Sequence, residues 1–280
     1  MNRSAIILLS LCCLALPARA TPAAGAAGMV LDLRGNAQAI TGADSARLDL
    51  LGYVRPGQQI RLDEQGQASV SHYASKLVYL LRGPLLAQVE AGGIRVLKGA
   101  PAQTRSLSEK LVTAAIDPRL SPAAVKMRAL GDVALLAPAN RAVLTGARPR
   151  FEWQAEGGTS YRVQVSELDG RAVAAGASGD GRWELPASAA LAPGASYRWS
   201  VSFTGEDGQQ YSNSAVFSLA SADEQAAARA LRPAPDAAIE DWVLYAAILK
   251  ERRMDDEART VWREIAARRP DLELVRTLAR

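Results

Sequence analysis

Between Leu191 and Phe203 the chain reads Leu-x-Pro-Gly-x-x-Tyr-x-Trp-x-Val-x-Phe. Pro193-Gly194 is a turn signal, and Tyr197, Trp199, Val201 and Phe203 follow at a spacing of two. Four large side chains at that spacing fit one buried face of a strand and do not fit a helix, whose apolar positions recur every three or four residues. The same period governs the neighbours: Phe151-x-Trp153, Tyr161-x-Val163-x-Val165, Trp183-x-Leu185 and Ala215-x-Phe217-x-Leu219. Asp169-Gly170, Asp180-Gly181 and Asp207-Gly208 read as hairpin turns between them. About seven short strands over roughly eighty residues suit a sandwich.

A second, more aliphatic strand pattern precedes it. Val30 and Leu33, then Ala37, Ala39 and Ile40, flank a turn signal at Arg34-Gly35-Asn36 and read as a first strand pair. Leu48, Leu50 and Tyr53-Val54 lead to Arg55-Pro56-Gly57. Ile60 and Leu62 are separated from Ala68 and Val70 by Asp63-Glu64-Gln65-Gly66, which predicts a hairpin. Leu77 to Leu81 is the most apolar run and short enough to be a buried strand. Ala87 and Val89, Gly92-Gly93, then Ile94 and Val96 predict another hairpin.

From Ser221 the period changes to that of a helix. Ser221 with Glu224 is a capping-box signal, and Pro233-Ala234-Pro235 ends the segment. Asp236 is expected to cap a helix running to about Arg253, and a third helix runs to Arg269, before Pro270. The expected class is mainly β, two all-β regions followed by a small helical one. The boundaries expected are 29–107, 138–220 and 221–280, with a connector over 108–137.

The first twenty residues carry Arg3, an apolar run from Ala5 to Leu16, and Ala18-Arg19-Ala20, which reads as a secretory signal cut after Ala20. Leu11 before Cys12 is not the small residue that lipidation wants. Residues 21–28 read as a flexible leader. Both cysteines, Cys12 and Cys13, lie in the signal, so the expected mature chain has no disulfide, thiolate nucleophile or Cys metal site. Losing Arg3 and Arg19 leaves 31 basic against 29 acidic residues, a net of +2 with no Lys/Arg block, which gives no electrostatic footprint for nucleic acid. No later apolar stretch is long enough for an integral membrane segment.

Chemistry-bearing motifs are absent from the sequence. There is no Gly-x-Ser-x-Gly elbow, no phosphate loop and no dinucleotide glycine fingerprint. His72 is the only histidine and reads as a polar residue in a β-turn. Asp255-Asp256-Glu257 reads as a turn and helix start, where acids suit the helix dipole. No catalytic residue, cofactor or metal is assigned. The structural or interaction candidates are aromatic: Trp153, Tyr197 and Trp199 in the second β region, and Trp242, Tyr245 and Trp262 in the helices.

Three resemblances are carried by these residues. Gly28-Met29-Val30, Val54-x-Pro56-Gly57-Gln58-Gln59-Ile60, Gly66-Gln67-Ala68-Ser69-Val70 and Leu81-x-Gly83-Pro84 resemble the FecR-like domain of bacterial envelope proteins. The family's usual Asp-Gly turn after Val70 is replaced by His72-Tyr73-Ala74-Ser75-Lys76. The resemblance implies a periplasmic all-β module of signalling or envelope assembly. The cytoplasmic sigma-factor segment and membrane helix of the family's classical regulators are not expected here. Residues 138–220 resemble a fibronectin type III domain, with Trp153 at the core Trp position and Leu191 to Tyr197 matching its tyrosine corner. Trp242-x-x-Tyr245-Ala246-x-x-Leu249, Ala258-x-x-x-Trp262-x-x-Ile265 and Pro270 resemble one tetratricopeptide unit. A lone unit cannot bury its own face, so these helices are expected to dock on each other, on a β region or on a partner. The expected function is non-enzymatic: contact with protein partners of the cell envelope, in the periplasm, with secretion as the other destination. A cell-wall or glycan-binding module touching peptidoglycan is the alternative, and an enzyme of unrecognised type the third reading.

Overall fold

The computed structural model describes residues 25–108, 110, 111, 114, 133–156, 158 and 160–279. The signal reading over 1–20, the first four leader residues and most of the expected connector over 108–137 lie outside these residues. The architecture is mainly β, with four C-terminal helices.

Ten strands build the first unit: β1 (Gly28–Arg34), β2 (Ala37–Thr41), β3 (Asp44–Arg47), β4 (Tyr53–Val54), β5 (Gln59–Leu62), β6 (Gln67–His72), β7 (Leu77–Arg82), β8 (Leu85–Val89), β9 (Ile94–Lys98) and β10 (Gln103–Ser106). They form two antiparallel five-stranded sheets, in the orders β10-β7-β6-β1-β4 and β3-β2-β5-β8-β9. Val30, Val54, Ile60, Val70, Leu81 and Val89 fill the space between them.

Two expected pairings are corrected here. β1 and β2 do not pair across Arg34-Gly35-Asn36, and β5 and β6 do not pair across Asp63 to Gly66; at both turns the chain passes from one sheet to the other. The corners lie back to back. A Cβ on Gly35 would meet Gln65 O at 2.9 Å, and one on Gly66 would meet Asn36 O at 2.8 Å. Strand period and turn residues are the same for a hairpin and for a sheet-to-sheet corner, so the sequence does not separate them. Hairpins do form at β6–β7 and β8–β9, with Val70 opposite Tyr79 and Val89 opposite Ile94. The leader also ends sooner than expected: Gly28 is already in β1, and Ala27 is buried and donates to Val54 O at 2.8 Å.

The second unit comprises β11 (Val133–Ala137), β12 (Ala142–Leu144), β13 (Arg150–Ala155), β14 (Tyr161–Glu167), β15 (Ala172–Ser178), β16 (Arg182–Glu184), β17 (Ser196–Thr204) and β18 (Gln210–Leu219). It is a sandwich of a three-stranded sheet, β11-β13-β16, on a five-stranded one, β12-β18-β17-β14-β15. β11 is the strand expected over 132–136 on entry to this region, and it pairs antiparallel with β13. Asp169-Gly170 and Asp207-Gly208 turn hairpins, but Asp180-Gly181 leads from one sheet to the other.

Helices α1 (Ala222–Leu231), α2 (Ile239–Glu251), α3 (Asp255–Arg268) and α4 (Glu273–Leu278) follow. The capping box forms: Ser221 Oγ accepts from Glu224 N at 3.2 Å, and Glu224 Oε2 accepts from Ser221 N at 2.8 Å. Asp236 does not cap α2, whose N-cap is Ala238 with no side-chain bond. Its first-turn acids, Glu240 and Asp241, are held instead by Arg105. Seven of the eight consecutive apolar or aromatic positions of α2 from Trp242 to Leu249, all but Ala247, are buried. A helix apolar on every side needs cover on every side. One side packs on α3, another on the outer face of the first unit, against Met29, Leu31, Leu50 and Val78. The helical layer also touches the second unit, where Val143 N donates to Arg253 O at 2.8 Å.

Candidate functional site

Met29-Val30-Leu31 is an unbroken apolar run in β1, and all three residues are buried. Val30 faces the sandwich interior, while Met29 and Leu31 face the helices. A strand whose two faces are both covered loses the apolar–polar alternation of a half-wet one. β1 and β7 therefore carry a seam between the β unit and α2.

Two polar clusters fasten that seam. Ser69 Oγ donates to Glu240 Oε1 at 2.7 Å, and the Arg105 guanidinium reaches Glu240 at 3.1 Å and Asp241 at 3.3 Å. Burial pushes the Asp241 carboxyl up, against the pull of Arg105. At the other end Arg269 donates to the Asp32 carboxylate, to Leu33 O at 3.0 Å and to Asp271 at 2.7 Å. Its side chain is only 6% exposed. Burial alone would lower this guanidinium, but its bonds to Asp271 and Asp32 outweigh burial and hold it above the ordinary arginine value.

A groove of about 260 Å³ lies along the seam, with Met29, Leu51, Tyr53 and Tyr73 on the β side and Ile248 and Trp262 among those on the helical side. Tyr53, at 40%, is the one aromatic among the exposed large apolar residues described. Burial raises both phenols; the charge of Glu251 adds to the effect at Tyr53, and that of Tyr53 at Tyr73. Lys250 and Glu251 mark the polar rim, where Lys250 pairs with Asp255 at 2.5 Å. A wider cleft of about 760 Å³ lies near α4, between Arg34, Arg47 and Asp49 on one side and Asp271 and Glu273 on the other.

All six aromatic candidates are interior. Trp153, Tyr197 and Trp199 are at most 3% exposed, and Trp242, Tyr245 and Trp262 at most 4%. None offers a free ring face on a sheet, so the aromatic platform of the glycan reading is not built from them. Tyr197 Oη accepts from Ala192 N at 2.7 Å, and Trp199 Nε1 donates to Pro138 O at 3.1 Å. Trp262 alone contributes to the groove. Trp242 lies within cation–π range of Arg232 and Arg268, 5.2 and 4.8 Å from its ring.

His72 is not a turn residue. It ends β6 and is 1% exposed. Nε2 donates to Glu90 O at 2.9 Å, and Nδ1 accepts from Ser75 N at 3.3 Å, which selects the neutral Nε2–H tautomer. Both nitrogens are used in tying two loops together. Among the described residues no three His, Cys, Asp or Glu side chains gather as a metal site, and no helix is long and apolar enough to cross a membrane.

The sequence reading missed Tyr53, Tyr73, Arg105 and Arg269. The available signal was the uninterrupted apolar run in β1, which calls for cover on both faces. Arg105 and Arg269 had none, since an exposed and a buried arginine look alike in sequence.

No protein-family profile matches the chain, and no curated protein is significantly similar to it. Among solved structures, the crystal structure of CopC from Methylosinus trichosporium OB3b is similar, at 18% identity over 32% of this chain and 95% of that chain, with a TM-score of 0.26.

Proposed function

We propose that this is an exported periplasmic protein with a FecR-like domain, acting without catalysis through protein–protein contact in envelope signalling or scaffolding. The observation that carries this reading is the seam groove. It has apolar walls and two phenols, one of which, Tyr53, is exposed, the composition expected of a surface that holds another chain. It is built jointly by the first β unit and by helices α2, α3 and α4, so a bound chain would touch both layers at once. The tetratricopeptide-like reading of α2 and α3 is supported by Ala246 and Ala258, small and fully buried residues that suit close helix approach. The fibronectin-like reading of the second unit is supported by the Tyr197–Ala192 bond and by the burial of Trp153.

The test is photo-crosslinking in the native envelope. A benzophenone side chain placed at Tyr53 should yield a discrete adduct with one envelope protein, and the same group at exposed Leu168 should not. Equal labelling at both positions, or none at Tyr53, rejects the groove as the working surface.

A further inference from the structure

The two sheets of the first unit have different outer faces. That of β10-β7-β6-β1-β4 is apolar and carries the helices. That of β3-β2-β5-β8-β9 is mostly polar, and its outward side chains are exposed or half-buried.

Residues directly opposite each other on neighbouring strands share a face. Arg47 lies opposite Gln38, Gln38 opposite Arg61, Arg61 opposite Leu86, and Leu86 opposite Lys98. One row therefore crosses all five strands and reads Arg-Gln-Arg-Leu-Lys. Ile60, Leu62 and Ala87, its neighbours along β5 and β8, fill the core, which turns this row outward. The row beside it holds Ser45, Ile40, Gln59, Gln88 and Arg95. None of these outward residues is acidic. Arg95 is paired with Glu90 at 2.5 Å, beyond the end of β8. Arg47, Arg61 and Lys98 are exposed and have no ion pair among the described residues. Asp49 and Asp63, two residues past Arg47 and Arg61, lie beyond the strand ends and form no ion pair with them.

We infer that this face binds a linear acidic polysaccharide with one carboxylate per disaccharide, laid across the strands. Neighbouring strands stand about 4.8 Å apart, so the row sets its cations two strands, about 10 Å, from one another. Two sugar residues of an extended chain cover that distance, which brings successive carboxylates to Arg47, Arg61 and Lys98. The planar guanidinium fork suits a carboxylate. Gln38, Gln59 and Gln88 offer amide donors and acceptors to sugar hydroxyls, and Leu86 an apolar patch to a ring face. An acidic peptide in strand form does not match this spacing, because its same-face residues repeat about every 7 Å. The seam groove lies over the other sheet, so the two surfaces can be occupied together.

The experiment is calorimetric titration of the full chain with a hyaluronan hexasaccharide, whose three carboxylates match the three cations, at about 0.15 M salt. Saturable binding is expected, weakened about threefold by Arg61→Gln and at least about tenfold by Arg47→Gln, Arg61→Gln and Lys98→Gln together. Arg162→Gln, which removes an exposed cation of the second unit, should leave the affinity unchanged. Absence of binding, a triple variant that binds like the parent, or an equal loss in Arg162→Gln overturns the proposal. So does binding at least as tight to a neutral chitin hexasaccharide, to polyglutamate or to phosphatidylglycerol vesicles.

Discussion

The sandwich of β11–β18 closes its core with its own aromatic rings, whereas that of β1–β10 has an aliphatic interior and a second apolar face that the helices cover. In the second unit Phe151, Trp199, Tyr197 and Phe217 form a connected cluster, with Phe151 and Trp199 centroids 5.1 Å apart and Tyr197 and Phe217 5.6 Å apart. Aromatic pairs of this kind add to the stabilisation from burial alone. In the first unit Met29, Leu31 and Val78 point away from the sandwich interior, into the helical layer. A sandwich with wet outer faces is complete by itself. One with an apolar outer face needs a cover, and the cover creates the seam, its salt bridges and its groove.

That contrast can be broken most forcefully in the aromatic core. Trp199→Ala should cost about 3–5 kcal/mol and unfold β11–β18, leaving the groove-forming unit assembled. Urea denaturation followed by near-ultraviolet circular dichroism and by exchange in β1 would show whether the two units separate.

The next largest effect is expected at the seam. Arg269→Met leaves Asp32 without its cation and should cost about 3 kcal/mol, because removing one partner strands a largely buried charge. The loss should register in α3, α4 and β1 and spare β17. Equal protection of β1 in parent and variant would contradict the shared core.

Gly28→Ala probes the first unit without touching the helices. Its Cβ would lie 1.9 Å from Ser71 O, so β1 and β6 must move apart. A cost of roughly 1–3 kcal/mol is expected, in the range for overpacking, measured as a shift in the urea midpoint. Ser221→Ala should cost only about 1 kcal/mol, through loss of the α1 cap.

The smallest effect is that of alkali. Burial raises Tyr73 and Tyr53 above the ordinary phenol value of 10.0. A folded value above the unfolded one stabilises the protein fully below pH 10, and that stability is lost as the pH rises through the folded value. The urea midpoint should therefore fall in alkali, and Tyr73→Phe should flatten that fall.

The second unit was largely legible because its alternation is local. Tyr197, Trp199, Val201 and Phe203 declare one buried face within seven residues, and β17 follows. The Ser221 capping box was legible for the same reason. The crossings at Gly35 and Gly66 were not, since a corner and a hairpin use the same turn residues. The groove was not legible either. It depends on Tyr53 and Trp262 meeting across more than two hundred positions, and on which face of β1 the helices choose. The aromatic candidates were found as residues, but size and spacing select rings that fill cores, and all six did so.

The central claim is that α2 completes the first β unit as one cooperative body. Native-state hydrogen exchange of the full chain in low urea tests it directly. The account predicts one shared opening free energy for the slowest amides of α2 and β1, distinct from that of β17. An α2 that opens well below a β1 still fully protected would contradict it.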